Sequence, residues 1–154
     1  MDATDRKILS ELQRDGRLSL TDLADRVQLS LSPTHRRLRA LEQSGAITGY
    51  RATVSPEAVG LTFETLVFVT MNQEDHETLV AFESAVSDIP NVLLAQRLFG
   101  DPDYILRIVT TDLAAYARLQ DDVLSALPGV QRLNSTLVMK SVVDERPLPT
   151  VATT

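Results

Sequence analysis

The chain has 154 residues, 44% hydrophobic and 23% charged, which is the composition of a folded globular protein with room for one ordinary domain or two small ones. It has no cysteine, and its two histidines, His35 and His76, lie far apart without ligand spacing, so disulfide frameworks, thiolate zinc sites and cysteine nucleophiles are excluded and no metal or cofactor is expected. Fifteen Lys+Arg against 21 Asp+Glu give a formal net charge of −6, which taken whole argues against a nucleic-acid partner.

That average hides a split. Residues 1–55 hold nine Lys/Arg against seven Asp/Glu, net +2, whereas residues 56–154 hold six against fourteen, net −8. Between Arg26 and Arg51 there are five arginines and a single acid, Glu42, net +4. No apolar run approaches the ~20 residues that cross a bilayer. The charged start MDATDRKIL has no signal-peptide core, so no membrane partner and a cytoplasmic location are expected.

In chain order, Ile8, Leu9 and Leu12 mark a first helix that stops at Asp15-Gly16. Ser19 or Thr21 caps a second, with Leu23, Ala24 and Val27 inward. A third is expected to begin at Ser32-Pro33, with Ser as N-cap and Pro in the first turn. It runs with Thr34, Leu38 and Leu41 on its inner face and stops at Ser44-Gly45. The second and third, joined by the turn Gln28–Leu31, read as a helix-turn-helix. Ala46–Val54 alternates as a short extended segment, and Pro56 marks the boundary.

Downstream the period changes. Glu64–Met71 reads as a strand, Leu79, Phe82, Val86 and Ile89 as a helix face, and Val92–Phe99 and Tyr104–Thr111 as two strands around Gly100-Asp101-Pro102-Asp103. Leu113 to Leu127 carries a second helix stopped by Pro128-Gly129, and Val130–Val143 a closing strand. The order β-α-β-β-α-β predicts a ferredoxin-like split βαβ. The fold class is therefore α+β, with a domain at 1–55, a linker at 56–62, a second domain at 63–143 and a Pro-containing tail at 144–154. Two helices cover one face of a four-stranded sheet, yet the strands are apolar on both. The open face is expected to bury against another subunit.

At 100° per residue, Ser32, Arg36, Arg39 and Gln43 share the stripe opposite Leu38 and Leu41, with His35 and Arg37 on its flanks. Arg and Gln carry the forked donors and acceptors that match guanine and adenine edges in the major groove. An outward Arg stripe over an inward Leu stripe is what a recognition helix requires. A charge stripe alone would read as a solvated face; the preceding helix-turn-helix and the +4 balance favour double-stranded DNA as partner. Ser32, Thr34, His35, Arg36, Arg37, Arg39, Gln43 and Arg51 are the candidate contacts, Arg36 and Arg39 to bases or groove, Arg37 and Arg51 to phosphates.

The segments DRKIL (5–9), LQRDGRLS (12–19), LADRVQLS (23–30), RRLRALEQSGAITGY (36–50), FGDPDYILRIV (99–109) and LPGV (127–130) stand in register over residues 2 to about 143. Together they resemble the Lrp/AsnC feast-or-famine transcriptional regulators. The resemblance implies a winged-type helix-turn-helix followed by an amino-acid-sensing, oligomerising αβ-sandwich (the RAM domain), with dimers associating further, commonly into octamers. It also implies that a free amino acid, branched-chain or methionine, tunes assembly or DNA affinity. The turn Phe99–Tyr104 is similar to the family's Gly-Asp-aromatic-Asp-Tyr loop beside the effector pocket. By that likeness Leu98, Gly100, Asp101, Pro102, Asp103, Tyr104 and Thr136 are the effector candidates. Pro102 stands where the family usually carries an aromatic, and Ala40 where relatives often carry Arg. An enzyme is the rival class, but Ser135 and Thr136 lack a neighbouring base in sequence and no acid pair has metal-loop spacing.

Overall fold

A computed structural model describes residues 1–73, 75–144 and 146–150. The chain divides into two compact units: Met1–Thr53 together with the C-terminal segment from Val142, and Val54–Ser141.

The first unit holds α1 (Ala3–Arg14), α2 (Leu20–Val27) and α3 (Leu31–Gln43). Each start is chemically marked except the last. Asp2 accepts the Asp5 N–H while the Asp5 carboxylate accepts the Asp2 N–H, a reciprocal capping box. Ser19, not Thr21, caps α2 by accepting the Asp22 N–H. Gln28 takes a left-handed conformation, φ 60°, and reverses the chain into α3. The expected Ser32 cap is displaced: α3 starts at Leu31 behind Ser30, which makes no side-chain capping bond. Pro33 is thus the third helical residue, still within the turn whose N–H groups lack helical partners. Ile8, Leu23, Val27 and Leu41 form the buried core, with Leu9, Leu12, Leu18, Leu38 and Ile47 packed around it. The segment after α3 begins as a turn and joins no strand ladder among the described residues. Ile47 helps tie it to the unit, its N–H donating to the Leu41 carbonyl.

The second unit is β1 (Phe63–Met71), α4 (His76–Ser87), β2 (Val92–Arg97), β3 (Tyr104–Thr110), α5 (Leu113–Asp122) and β4 (Val130–Leu137). The sheet is antiparallel in the order β2-β3-β1-β4. In β1, Thr65, Val67, Val69 and Met71 are buried while Leu66, Phe68 and Thr70 are only partly so, as a sheet covered by helices on one face requires. The core gathers Val67, Val69, Phe82, Leu106, Ile108 and Leu124, all fully buried. The closing strand is shorter than expected. It ends at Leu137, with one further bond from the Val138 N–H to the Glu64 carbonyl. Gly129 starts β4 at φ +69°, and a Cβ there would lie 2.3 Å from Thr78 Cγ2. Only glycine lets α4 and β4 approach this closely.

Candidate nucleic-acid interface and effector loop

The outer face of α3 is built by what its inner face buries. Leu41 sinks into the core, and Thr34 is fully buried with its hydroxyl donating to the Ser30 carbonyl at 3.0 Å. Thr34, expected among the DNA contacts, is therefore a core residue: its methyl packs inward and its one donor is spent. Ser32, His35, Arg36, Arg39 and Gln43 are all exposed on the opposite side. Arg39 Nε donates to His35 Nε2 at 3.3 Å, one helical turn back.

Arg37 is not part of that outward stripe. Its Nη1 reaches Asp2 at 2.7 Å and Asp5 at 2.8 Å, the same carboxylates that form the α1 capping box. Four hydrogen bonds among these three residues thus close one network that ties the start of α1 to the middle of α3. The Asp5 N–H first, and the Arg37 guanidinium second, hold the Asp2 carboxyl below its ordinary range. Sequence spacing put Arg37 on the flank of the stripe, but nothing in the spacing showed that two acids 32 and 35 residues upstream would collect it. Arg51 is exposed on the segment after α3.

In the second unit, the loop between β2 and β3 is a braced hairpin. The Leu98 N–H donates to the Asp103 carbonyl, and the Asp103 N–H to the Val69 carbonyl. The Asp103 carboxylate accepts the Met71 N–H at 2.7 Å. Asp103 therefore fastens the hairpin to β1. Asp101, in contrast, is exposed, beside a cis Asp101-Pro102 bond. Gly100 has φ +128°, open only to glycine, and Phe99 is entirely exposed.

Tyr104, expected at the effector pocket, points the other way. It is 2% exposed, its ring tilted against that of Phe82 with centroids 4.6 Å apart, and its hydroxyl donates to Glu83 of α4 at 2.8 Å. Burial first, then the Glu83 carboxylate, pushes its hydroxyl up to about 12. Thr136 is exposed on β4 opposite Leu66 of β1, on the sheet face the helices leave open. That face also carries a two-pronged ion pair, Arg107 Nε and Nη2 to the Glu64 carboxylate at 2.9 and 3.2 Å. The structure thus leaves Leu98, Gly100, Asp101, Pro102 and Thr136 as accessible or partly accessible candidates and withdraws Tyr104 into the core.

No three histidine or acidic side chains among the described residues converge as a metal site, and none of the described helices is long and apolar enough to cross a membrane.

Comparison with known proteins matches each unit separately. Residues 1–48 match the model of a winged helix-turn-helix DNA-binding domain, and residues 64–148 that of the Lrp/AsnC ligand binding domain. The proline dehydrogenase transcriptional activator of Rhodobacter capsulatus is 41% identical over 94% of both chains. The leucine-responsive regulatory protein of Escherichia coli K12 is 36% identical over 92% of this chain and 87% of its own. A Neisseria meningitidis transcriptional regulator solved with L-Met superposes with a TM-score of 0.92 at 37% identity, covering 97% of this chain and 96% of that one. An exposed arginine-bearing helix in the one unit and a ligand-binding sheet domain in the other meet here in one chain, which belongs to the Lrp/AsnC family of DNA-binding transcriptional regulators and is not an enzyme.

Proposed function

We propose that this regulator reads double-stranded DNA with Arg36, Arg39 and Gln43, aided by Ser32 and His35, and that a free amino acid tunes its assembly or affinity. The observation that carries the reading is the exposed stripe on α3, whose cations and amide point away from a core that α3 itself helps to seal. Arg51 serves as a phosphate contact, and Arg37 acts indirectly by fixing α3 against α1. Working in the cytoplasm, a homodimer built on the open sheet face presents two such helices, so operator half-sites lie about one DNA turn, ~34 Å, or a multiple apart. Further association of dimers, to an octamer, follows the same reading.

For the effector we propose a branched-chain amino acid or methionine. Asp101 pairs with the ammonium, the backbone at Gly100 approaches the carboxylate, and Leu98, Pro102 and Thr136 border the side chain. Asp103 supports the site by bracing the hairpin. Relatives named for leucine response, and a neighbour solved with L-Met, support this class of ligand.

One two-armed experiment tests the reading. In gel shifts on a DNA fragment selected from random sequence by the parent protein, Arg39→Ala should weaken binding about tenfold or more, the worth of a forked base contact, with the oligomer intact. Unchanged binding overturns the base-reading role. In a thermal-shift screen of the twenty amino acids, one or a few should raise the melting temperature, and Asp101→Asn should remove that rise. A flat screen overturns the amino-acid reading.

A further inference from the structure

The chain's own C-terminal segment bears on the DNA-reading unit. The stretch Arg146-Pro147-Leu148-Pro149-Thr150 is neither helix nor strand, and it is grouped with the first unit rather than with the sheet it follows. Two prolines restrict it to extended geometry before any contact is made, and both lack an N–H. Leu148 is therefore the one residue of the Pro-Leu-Pro core with both a donor and an acceptor to satisfy. Gln13, on the last turn of α1, meets both. Its Oε1 accepts the Leu148 N–H at 2.7 Å and its Nε2 donates to the Leu148 carbonyl at 3.2 Å. A side-chain amide used this way copies the pairing of a neighbouring strand. Arg6, two turns earlier on α1, donates to the Thr150 carbonyl at 3.5 Å.

The segment forms one wall of an open cleft beside α1. Leu148 and Thr150 line it together with Leu9, Leu12 and Gly16 of the α1 side and with Ile47 and Tyr50 of the arm that follows the recognition helix. The Tyr50 ring lies beside Gly16, where a Cβ would stand at ordinary van der Waals distance, 3.6 Å, from its Cδ1. The Tyr50 hydroxyl in turn donates to Glu42 near the end of α3. Recognition is led by the backbone, because the Leu148 side chain itself stays 74% exposed. A stiff proline-flanked segment loses little entropy on docking against an aromatic-bearing groove.

We propose that residues 146–150 are a working part of the DNA-reading unit: a strap, clasped by Gln13, that braces the arm 46–53 after the recognition helix and so raises operator affinity. The arm has no strand partner of its own among the described residues, and the strap lines the cleft on its open side. The consequence is that the reader is tethered to the sensing sheet by both ends of that sheet's chain, through the linker before β1 and through the strap after β4.

The test compares the full-length protein with a chain stopped after Asp144 and with two full-length variants, Gln13→Ala and Leu148→Pro. The last keeps a proline-restricted backbone and removes the N–H that Gln13 accepts, along with a leucine side chain that is 74% exposed. Hydrogen exchange read by mass spectrometry should show faster exchange across 46–53 in all three. Operator affinity should fall about fivefold in the point variants, the worth of one such hydrogen bond, and at least as far in the truncation. The amino-acid-induced thermal shift should stay as in the parent, which separates this proposal from the effector reading. A peptide of residues 141–154 added to the truncated chain should restore protection of the arm. Unchanged exchange in the truncated chain overturns the docking, and lost protection with unchanged operator affinity overturns its role in DNA reading.

Discussion

The two units solve the same folding problem with unequal means. The reader seals its core with four buried apolar side chains, Ile8, Leu23, Val27 and Leu41, while the sensing unit encloses thirteen buried residues under α4 and α5. A three-helix unit of some fifty residues buries little surface, so it must recruit other ties. Here they are polar: the Asp2–Asp5 capping box, the Arg37 network, the Tyr50–Glu42 bond and the Gln13 clasp on the C-terminal segment. The sensing unit instead spends its polar groups at the edges of a large apolar interior, as in Tyr104–Glu83 and Arg107–Glu64. A small core leaves the outer face of α3 free to carry cations, whereas a large one can leave an entire sheet face open for a partner.

The sharpest way to break this comparison is to remove the centre of the small core. Ile8→Ala deletes a fully buried side chain and should cost about 2–5 kcal/mol, enough to unfold most of the reader. Calorimetry should then show the reader's transition lowered or lost while the sensing unit's persists. A uniform shift of both would mean the two cores fold as one.

A smaller effect probes the large core from its rim. Gly129→Ala sets a Cβ against Thr78 and Met71 at a positive φ, and should destabilise the sensing unit by about 1–3 kcal/mol. Denaturant titration should register this loss with no change in the slope of the reader's transition.

The smallest effect is one of pH. Burial raises the Tyr104 hydroxyl from its ordinary value to about 12, so the folded unit holds its proton more tightly than the unfolded chain. That contribution is whole below pH ~10 and is lost as pH rises toward 12. Thermal melts of Tyr104→Phe should fall less steeply over this alkaline window than those of the parent; parallel curves would place the titration elsewhere.

Much of this was legible in the sequence because it depends on period and punctuation. The change from helical to alternating spacing near Pro56, the Asp15-Gly16 and Ser44-Gly45 stops and the outward Arg36–Arg39–Gln43 stripe all follow from where apolar residues recur. Errors fell where two chemically reasonable partners competed. Ser30 and Ser32 both suit an N-cap, and the helix took the first. Thr34 reads as polar by type, yet an inward position and a carbonyl one turn back made it core. Asp101 and Asp103 look equivalent in a Gly-Asp-Pro-Asp turn, and register alone gave one of them the Met71 N–H.

By itself the sequence determined the two-part α+β organisation, the charge split beneath the −6 total and the face of α3 that meets solvent. These follow from local periodicity and side-chain chemistry, which act over a few residues. The tertiary structure alone decided that Arg37 bridges helices instead of joining the outer stripe, that Tyr104 points into the core and that Leu148 returns to Gln13. Each of these joins residues 21 to 135 positions apart. Chain topology sets such meetings, and no short pattern in the sequence encodes them.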